Sequence, residues 1–160
     1  MATPANWKTP PKAKVYEALS AVADGRVTIV NEGEASVASS DAAKTYTVVW
    51  TPDRTAFGAN DNASYWVGYI GYPIIATVFA LGVVEYDKEL AKHLAGVNWN
   101  KLNQAYKRKY DEAVDYVLAQ IDSTGGPAGE IRNHADALFS ALKTLKLGRI
   151  NPPGAPPKKP

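Results

Sequence analysis

The first quarter of the chain shows two different spacings of apolar residues, one helical and one typical of strands. Residues 12–24 carry apolar side chains at helical spacing and are followed by Gly25, a frequent helix stop, so we predict a helix there. Residues 26–31 and 34–39 alternate between apolar and polar positions on either side of a Glu-Gly pair. This pattern predicts a β-hairpin.

Two further segments have the composition of strands. Residues 44–51 alternate most clearly, and the alternation places Tyr46, Val48 and Trp50 on one face. Residues 52–63 are mostly polar and favour a loop. Residues 65–70 are rich in aromatic and β-branched side chains, so we predict a fourth strand and a mostly antiparallel sheet of about four strands.

Residues 65–84 form a long apolar stretch without a single charged side chain. About 20 apolar residues can cross a bilayer, so a membrane span is one interpretation. The Gly-Tyr-Pro break at residues 71–73 and the lack of flanking basic clusters favour a different one. Pro73 suits a first helical turn and Gly82 suits a helix end, so we predict a short buried helix after the strand.

The C-terminal half is predicted to be helical. Asp87 can cap a short helix, and an asparagine at 98 or 100 can cap the next, which we expect to reach residue 121. A last helix covers residues 127–147, where apolar positions alternate at spacings of four and three, as in a coiled-coil seam. The seam residues are Ile131, Ala135, Leu138, Leu142 and Leu145. Two interpretations stay open: the seam packs on its own domain, or it forms a homodimer interface.

Chain length and composition indicate how the chain divides into a folded domain and tails. A chain of 160 residues with a net charge of +2 is long enough for one domain with tails. We predict a flexible N-terminal arm at 1–11, an α+β nucleic-acid-binding domain at 12–126, a self-association helix at 127–148 and a disordered, proline-rich basic tail at 149–160. The chain has no cysteine, and its N-terminal residues include no apolar core of the length that a signal peptide needs, so we expect a cytoplasmic protein.

The sequence carries no signature of catalysis. His93 and His134 each lack a second ligand at metal-binding spacing, and no glycine-rich phosphate loop is present. Without cysteine, a nucleophilic enzyme would need a serine or threonine with histidine and an acid, and no such set stands out. We therefore expect no enzyme activity, no metal and no cofactor. A small-molecule enzyme or binding protein that uses the apolar stretch as a pocket is a third hypothesis.

Aromatic residues interleaved with cations are concentrated in the predicted sheet. Alternation along strands cannot direct all of these rings inward, so some are expected at the surface. Exposed rings beside arginine and lysine form a surface on which unpaired bases stack while the cations contact phosphates. The candidate nucleic-acid-binding residues are Arg26, Lys44, Tyr46, Trp50, Arg54, Phe57, Trp66, Tyr69 and Tyr72.

Three segments also carry a resemblance to a known family. They are the apolar run at residues 66–84, the Gly-Val-Asn-Trp sequence at residues 96–99 and the following helix with its spaced tyrosines. With these segments, the chain resembles the ThermoDBP group of archaeal single-stranded DNA-binding proteins over residues 12–147. The resemblance implies a thermophilic source, a sheet packed with helices, a hydrophobic cleft for single-stranded DNA, and dimers formed through a C-terminal zipper-like helix.

These observations lead to two main hypotheses. The first is a non-enzymatic, homodimeric, single-stranded DNA-binding protein with little sequence preference and no membrane attachment, in which bases stack on the exposed rings. The second is a protein-interaction or structural module, in which the rings are core and the C-terminal helix mediates dimerisation. The solvent exposure of Trp50 and Trp66 distinguishes the two.

Overall fold

The computed structural model describes residues 5–157, which form one sheet packed with helices. The strands are β1 (Ala5–Asn6), β2 (Val27–Asn31), β3 (Glu34–Ala38), β4 (Thr45–Trp50), β5 (Ala56–Ala59) and β6 (Gly148–Arg149). The helices are α1 (Ala13–Ala23), α2 (Tyr72–Ala80), α3 (Lys88–Lys92), α4 (Trp99–Ala105), α5 (Tyr110–Ser123) and α6 (Ala128–Leu145). The predicted α+β class, with a mostly antiparallel sheet and a C-terminal helix, is confirmed.

The sheet has six strands in the order β1-β6-β5-β4-β3-β2, and its pairs are antiparallel except for β5 with β6. Strands β2 to β5 follow one another as neighbours, and two-residue strands from the chain ends extend the sheet beyond β5. Alternation places Val37, Val48 and Phe57 on the inner face, where all three are fully buried. Helix α2 packs across this face, contacting β2 to β5.

Helix α1 lies at the centre of the molecule. Residues 13–21 are all buried, because α2, α3, α5 and α6 surround the helix. Two of these buried residues, Lys14 and Glu17, are charged and stand one turn apart on the helix. The burial of α1 therefore creates a charged pair inside the fold.

The predictions for the N-terminal segments are largely confirmed. Helix α1 occupies the predicted 12–24 segment, β2 and β3 form the predicted hairpin, and β4 fills the predicted strand at 44–51. Helix α2 begins one residue before Pro73, as the position of the proline predicted.

Side-chain caps start the two short helices as predicted. Asp87 accepts hydrogen bonds from the first turn of α3, and Asn98 does the same for α4. The prediction of one continuous helix to residue 121 is wrong. Left-handed backbone at Lys107 and Arg108 separates α4 from α5, and neither residue type signals a break in the sequence.

The predicted loop at residues 52–63 contains a strand, β5, so that prediction is wrong at residues 56–59. All four residues of β5 are buried. A Cβ atom at Gly58 would lie 2.5 Å from the main-chain oxygen of Ile150, which crosses over the strand at this point. Small residues permit this close approach, but they give no alternating signal in the sequence.

The predicted strand at residues 65–70 is also wrong. Residues Ala63–Val67 form one π-helical turn, which ends at Gly68 with φ 94°. Strand pairing in this stretch, within the described residues, is limited to an isolated bridge between Tyr69 and Lys8. Aromatic and β-branched residues imitate a strand in composition, whereas the glycine permits the left-handed backbone that closes the turn.

The two ends of the described chain pair with each other. Strands β1 and β6 are antiparallel neighbours, and Trp7 Nε1 donates a hydrogen bond to the Gly148 carbonyl at 2.9 Å. Beyond β6, the Ile150 N–H donates to the Phe57 carbonyl at 3.1 Å. The terminal segments therefore belong to the folded body.

This pairing corrects two predictions. The flexible arm predicted at 1–11 is wrong for residues 5–11, which contribute β1 and a buried Pro10. The tail predicted as disordered from residue 149 is wrong at its start, since Arg149 lies in β6. Residues 150–157 contain no helix or strand. Residues 1–4 and 158–160 of the two predicted segments lie outside the described residues.

The coiled-coil seam of α6 faces the interior of its own domain. Four of its five predicted interface residues are buried in the core of this chain: Ile131, Ala135, Leu138 and Leu142. Leu145, at the end of the helix, is 38% exposed. The prediction of a dimer interface along this seam is therefore wrong for the four buried residues, whose burial completes a monomer core.

No helix within residues 5–157 is long and apolar enough to cross a membrane. The apolar stretch at residues 65–84 is divided between the π turn and α2. Seven consecutive residues of α2, 73–79, are buried against the protein itself.

Candidate nucleic-acid interface

Two of the predicted stacking residues lie in the core. Trp50 is 5% exposed and Phe57 is fully buried, with their ring centroids 6.0 Å apart. Both project from the inner face of the sheet, beneath the helices. Neither ring can accept a base, so their assignment as binding residues is wrong.

Three more predicted residues form a half-buried cluster. The rings of Tyr46 and Tyr72 meet edge to face at 6.3 Å, and the Arg26 guanidinium lies 6.0 Å from the Tyr72 ring centroid. Arg26 also donates to the Ala38 carbonyl at 2.7 Å and pairs with Asp24 at 3.1 Å. Burial raises the pKa of Tyr72. Arg26 is therefore held within the fold rather than presented to a phosphate.

The remaining predicted cations also make internal contacts. Arg54 pairs with Glu32 at 3.1 Å and donates to the Leu81 carbonyl at 3.3 Å. Lys44 is half-buried just before β4, where its main chain pairs with Ser39. The structure thus does not gather Arg26, Lys44 and Arg54 around an open ring.

Trp66 is the exception among the predicted rings. It is 71% exposed on the π turn, and its ring meets that of Tyr65 edge to face at 4.5 Å. The neighbouring Val67 is exposed as well. π-Helical turns are rare and are frequently found at functional sites.

Tyr69 lies instead beside the buried charged pair. Lys14 Nζ is 3.0 Å from Glu17 Oε2 and stands 4.2 Å from the ring centroid of Tyr110. Burial opposes the charge of the Lys14 ammonium, but the Glu17 carboxylate, with Tyr69 and Tyr110, outweighs it, and the pKa of Lys14 is raised. A lysine that keeps its positive charge cannot act as a nucleophile, so Lys14 and Glu17 form a structural ion pair.

A second buried carboxyl group fixes the π turn to α2. Asp61 Oδ2 accepts from the Ser64 N–H at 3.1 Å, and Ser64 Oγ accepts from the Gly71 N–H at 3.0 Å. A Cβ at Gly71 would overlap Asp61 Oδ2, so glycine is needed there. Burial raises the pKa of Asp61. This network holds the turn that carries Trp66.

An open apolar groove lies where both chain ends meet α6. Its volume is about 460 Å³, a size typical of ligand sites. Residues from three segments line it: Asn6, Trp7, Lys8, Thr9 and Pro10 from the N-terminal segment, Ile70 before α2, and Phe139, Leu142, Lys143, Lys146 and Leu147 from α6 and the residues after it. We call it the lysine-rimmed groove.

The charged residues that line the groove are all basic. Lys8, Lys143 and Lys146 are its charged lining residues, all three are exposed, and none of the described lining residues is acidic. A fourth lysine nearby, Lys12, is paired with Asp136 at 3.0 Å. The groove therefore favours a ligand that is anionic at its rim and apolar in its body.

Aromatic rings form the groove walls. Lys143 Nζ stands 5.1 Å from the ring centroid of Phe139, and Lys12 Nζ stands 5.6 Å from the same centroid. The Arg149 guanidinium lies 4.8 Å from the Trp7 ring, whose indole N–H is already bonded to Gly148. Both rings are half-buried and pack against the core, and these cation–π contacts help to hold them in place.

The groove is connected to the exposed Trp66 turn. The Lys8 N–H donates to the Gly68 carbonyl at 2.8 Å. Arg149 donates to the carbonyl of Ser64 at 3.0 Å, inside the π turn. Gly68 leaves room for both cationic side chains, since a Cβ there would lie 3.2 Å from Arg149 and 3.9 Å from Lys8. Cations thus line the connection between the groove and Trp66.

Trp7, Lys8 and Phe139 were not predicted as site residues from the sequence. Trp7 and Lys8 fall in a segment that its prolines marked as an arm, and Phe139 lies between two seam positions of α6. One signal did point here, because the stretch from Lys143 to the C-terminus has five basic residues and no acid. Only the pairing of the chain ends brings these residues together.

The fold and the groove together define an α+β protein with an aromatic, lysine-rimmed surface site. The chain belongs to the family described as uncharacterised conserved protein UCP014422, whose pattern it matches over residues 7–148. This span includes every lining residue of the groove except Asn6. No curated protein and no solved structure matches the chain.

Proposed function

We propose that this chain is a non-enzymatic binder of single-stranded nucleic acid that holds the strand in the lysine-rimmed groove. The observation that carries the proposal is the combination of aromatic walls with a rim whose charged residues are all lysines. An unpaired base offers a flat apolar face, and its phosphate offers the negative charge. Double-stranded nucleic acid does not expose base faces in this way.

Each part of the groove has a role in this proposal. Bases stack against Trp7 and Phe139, over an apolar floor formed by Ile70, Leu142 and Leu147. The ammonium groups of the rim contact phosphates, which position the strand without selecting a sequence. Sequence preference is therefore weak, because every base has a face that can stack.

Trp66 extends the proposed path beyond the groove. Its exposed ring lies on the turn whose main-chain carbonyls Lys8 and Arg149 contact. A strand leaving the groove past Lys8 meets Trp66 next, and a further base stacks there. The resemblance to the ThermoDBP group supports DNA as the strand. Trp66 was predicted from the sequence to stack a base, and this proposal assigns it the same role.

The proposal predicts a measurable salt dependence. Three phosphate contacts on a single strand give a slope of about −2 in a plot of log affinity against log salt. Affinity for a fluorescein-labelled oligo-dT of about 15 nucleotides is therefore expected to fall roughly twentyfold between 50 and 200 mM salt. Fluorescence anisotropy titrations at four salt concentrations measure this slope.

Two competitors make the titration specific. Unlabelled oligo-dT should displace the probe, and the same sequence annealed to oligo-dA should displace it poorly because its bases are paired. Dextran sulfate supplies charge without bases. Equal competition by dextran sulfate and oligo-dT, or no binding at micromolar protein in 50 mM salt, would refute the proposal.

A further inference from the structure

Lys146 has a backbone conformation that lysine rarely adopts. It follows α6 directly with φ 49° and ψ 57°, in the left-handed region. An L side chain is strained there, because its Cβ approaches a carbonyl oxygen, and glycine or asparagine is the usual residue after a helix. The chain follows this rule after three other helices, where Gly25 after α1, Gly82 after α2 and Gly125 after α5 have positive φ, whereas Lys107 after α4 does not follow it.

The ordinary reason for a cation at a helix end does not account for the strain. A lysine near a C-terminus interacts favourably with the helix dipole, but Lys143 already supplies that charge in the last turn of α6. Lys146 differs from a simple capping residue in its position, since it lines the groove beside Lys143 and Leu147. A glycine here would relax the backbone and remove one of the three rim charges.

We propose that Lys146 is a phosphate-positioning residue of the groove, kept at a strained position because the left-handed turn holds its ammonium group at the rim. This inference rests on the proposed function. It adds that Lys146 is the rim lysine whose position is set by the backbone conformation. After Lys146 the chain passes through Leu147 into β6, whose Arg149 contacts the ring of Trp7 in the groove wall.

The test compares four proteins by thermal unfolding and by oligo-dT anisotropy. Lys146→Gly is expected to raise Tm by about 2–4 °C, the size of shift that relief of modest strain gives in a chain of this length. The same substitution should weaken binding and make the salt slope shallower by about 0.7, the contribution of one phosphate on a single strand. Lys146→Arg should keep the wild-type Tm and slope.

Lys107→Gly is the matched control. Lys107 is also a lysine that follows a helix with positive φ, but it is exposed beside α5 and does not line the groove. The Lys107→Gly variant should show a rise in Tm like that of Lys146→Gly. Its salt slope for oligo-dT binding should equal that of the wild type.

The outcomes separate this inference from the proposed function. If Lys146→Gly binds with the wild-type slope, Lys146 does not contact phosphate, although the groove can still bind nucleic acid. A Tm that stays the same or falls would overturn the strain argument. If the wild type itself does not bind oligo-dT, the inference falls together with the proposed function.

Discussion

Phe57→Ala is expected to lower the free energy of unfolding by about 3–5 kcal/mol, the usual cost of removing a fully buried ring from a core. Phe57 lies on the inner face of β5 beside Trp50, and both rings are sealed beneath the helices. Little rearrangement can fill the space left by the ring, because β5 is enclosed by β4, by β6 and by the chain at Ile150. Trp50→Ala should have an effect of the same size. Urea denaturation followed by circular dichroism measures both.

Trp66→Ala is the control for this prediction. Its ring is mostly in water, so its removal should change the free energy of unfolding by no more than about 0.5 kcal/mol. The same variant should bind oligo-dT more weakly if the strand reaches the π turn. A large loss of stability in Trp66→Ala, or a small one in Phe57→Ala, would contradict the assignment of core and surface rings.

Phe139→Leu is expected to weaken oligo-dT binding by about 1–3 kcal/mol, the value of one stacked base. This corresponds to roughly a 5- to 150-fold increase in Kd. Leucine keeps an apolar side chain at the groove wall while removing the flat face on which a base stacks and the ring that Lys12 and Lys143 contact. Anisotropy titration gives Kd, and a thermal melt shows whether the variant is folded.

Tyr116→Leu provides the matched control for the ring. Tyr116 is an exposed aromatic residue on α5, and it does not line the groove. Its replacement should leave Kd within twofold of wild type. Equal losses in the two variants, or no loss in Phe139→Leu, would show that the groove wall does not stack bases.

Much of the fold could be predicted because local patterns and tertiary packing agree. Helix α1, the hairpin and β4 have regular periodicity, and the caps at Asp87 and Asn98 follow from side-chain chemistry. Strand β5 was not predicted because three of its four residues are alanine or glycine and all four are buried, so the segment does not alternate between apolar and polar positions. The break between α4 and α5 falls at Lys107 and Arg108, which are good helix formers in isolation.

The candidate site was harder to predict for a different reason. Composition indicated surplus aromatic rings, but it could not decide which face of the sheet the helices cover. The covered face turned out to carry Trp50 and Phe57, and Trp66 remained exposed because its segment is a π turn rather than a strand. The groove depends on residues more than 130 positions apart, such as Trp7 and Gly148, and no local pattern predicts their contact.

The location of a bound strand on the protein tests the groove most directly. Ultraviolet crosslinking of oligo-dT to the wild-type protein, followed by mass spectrometry of the peptides, maps that location to single residues. We expect crosslinks at Trp7, Phe139 and Trp66, and a marked loss of crosslinked protein in the Lys8→Gln, Lys143→Gln double variant. Crosslinks confined to the outer face of β2–β4, with none in the groove or on the π turn, would contradict the proposal.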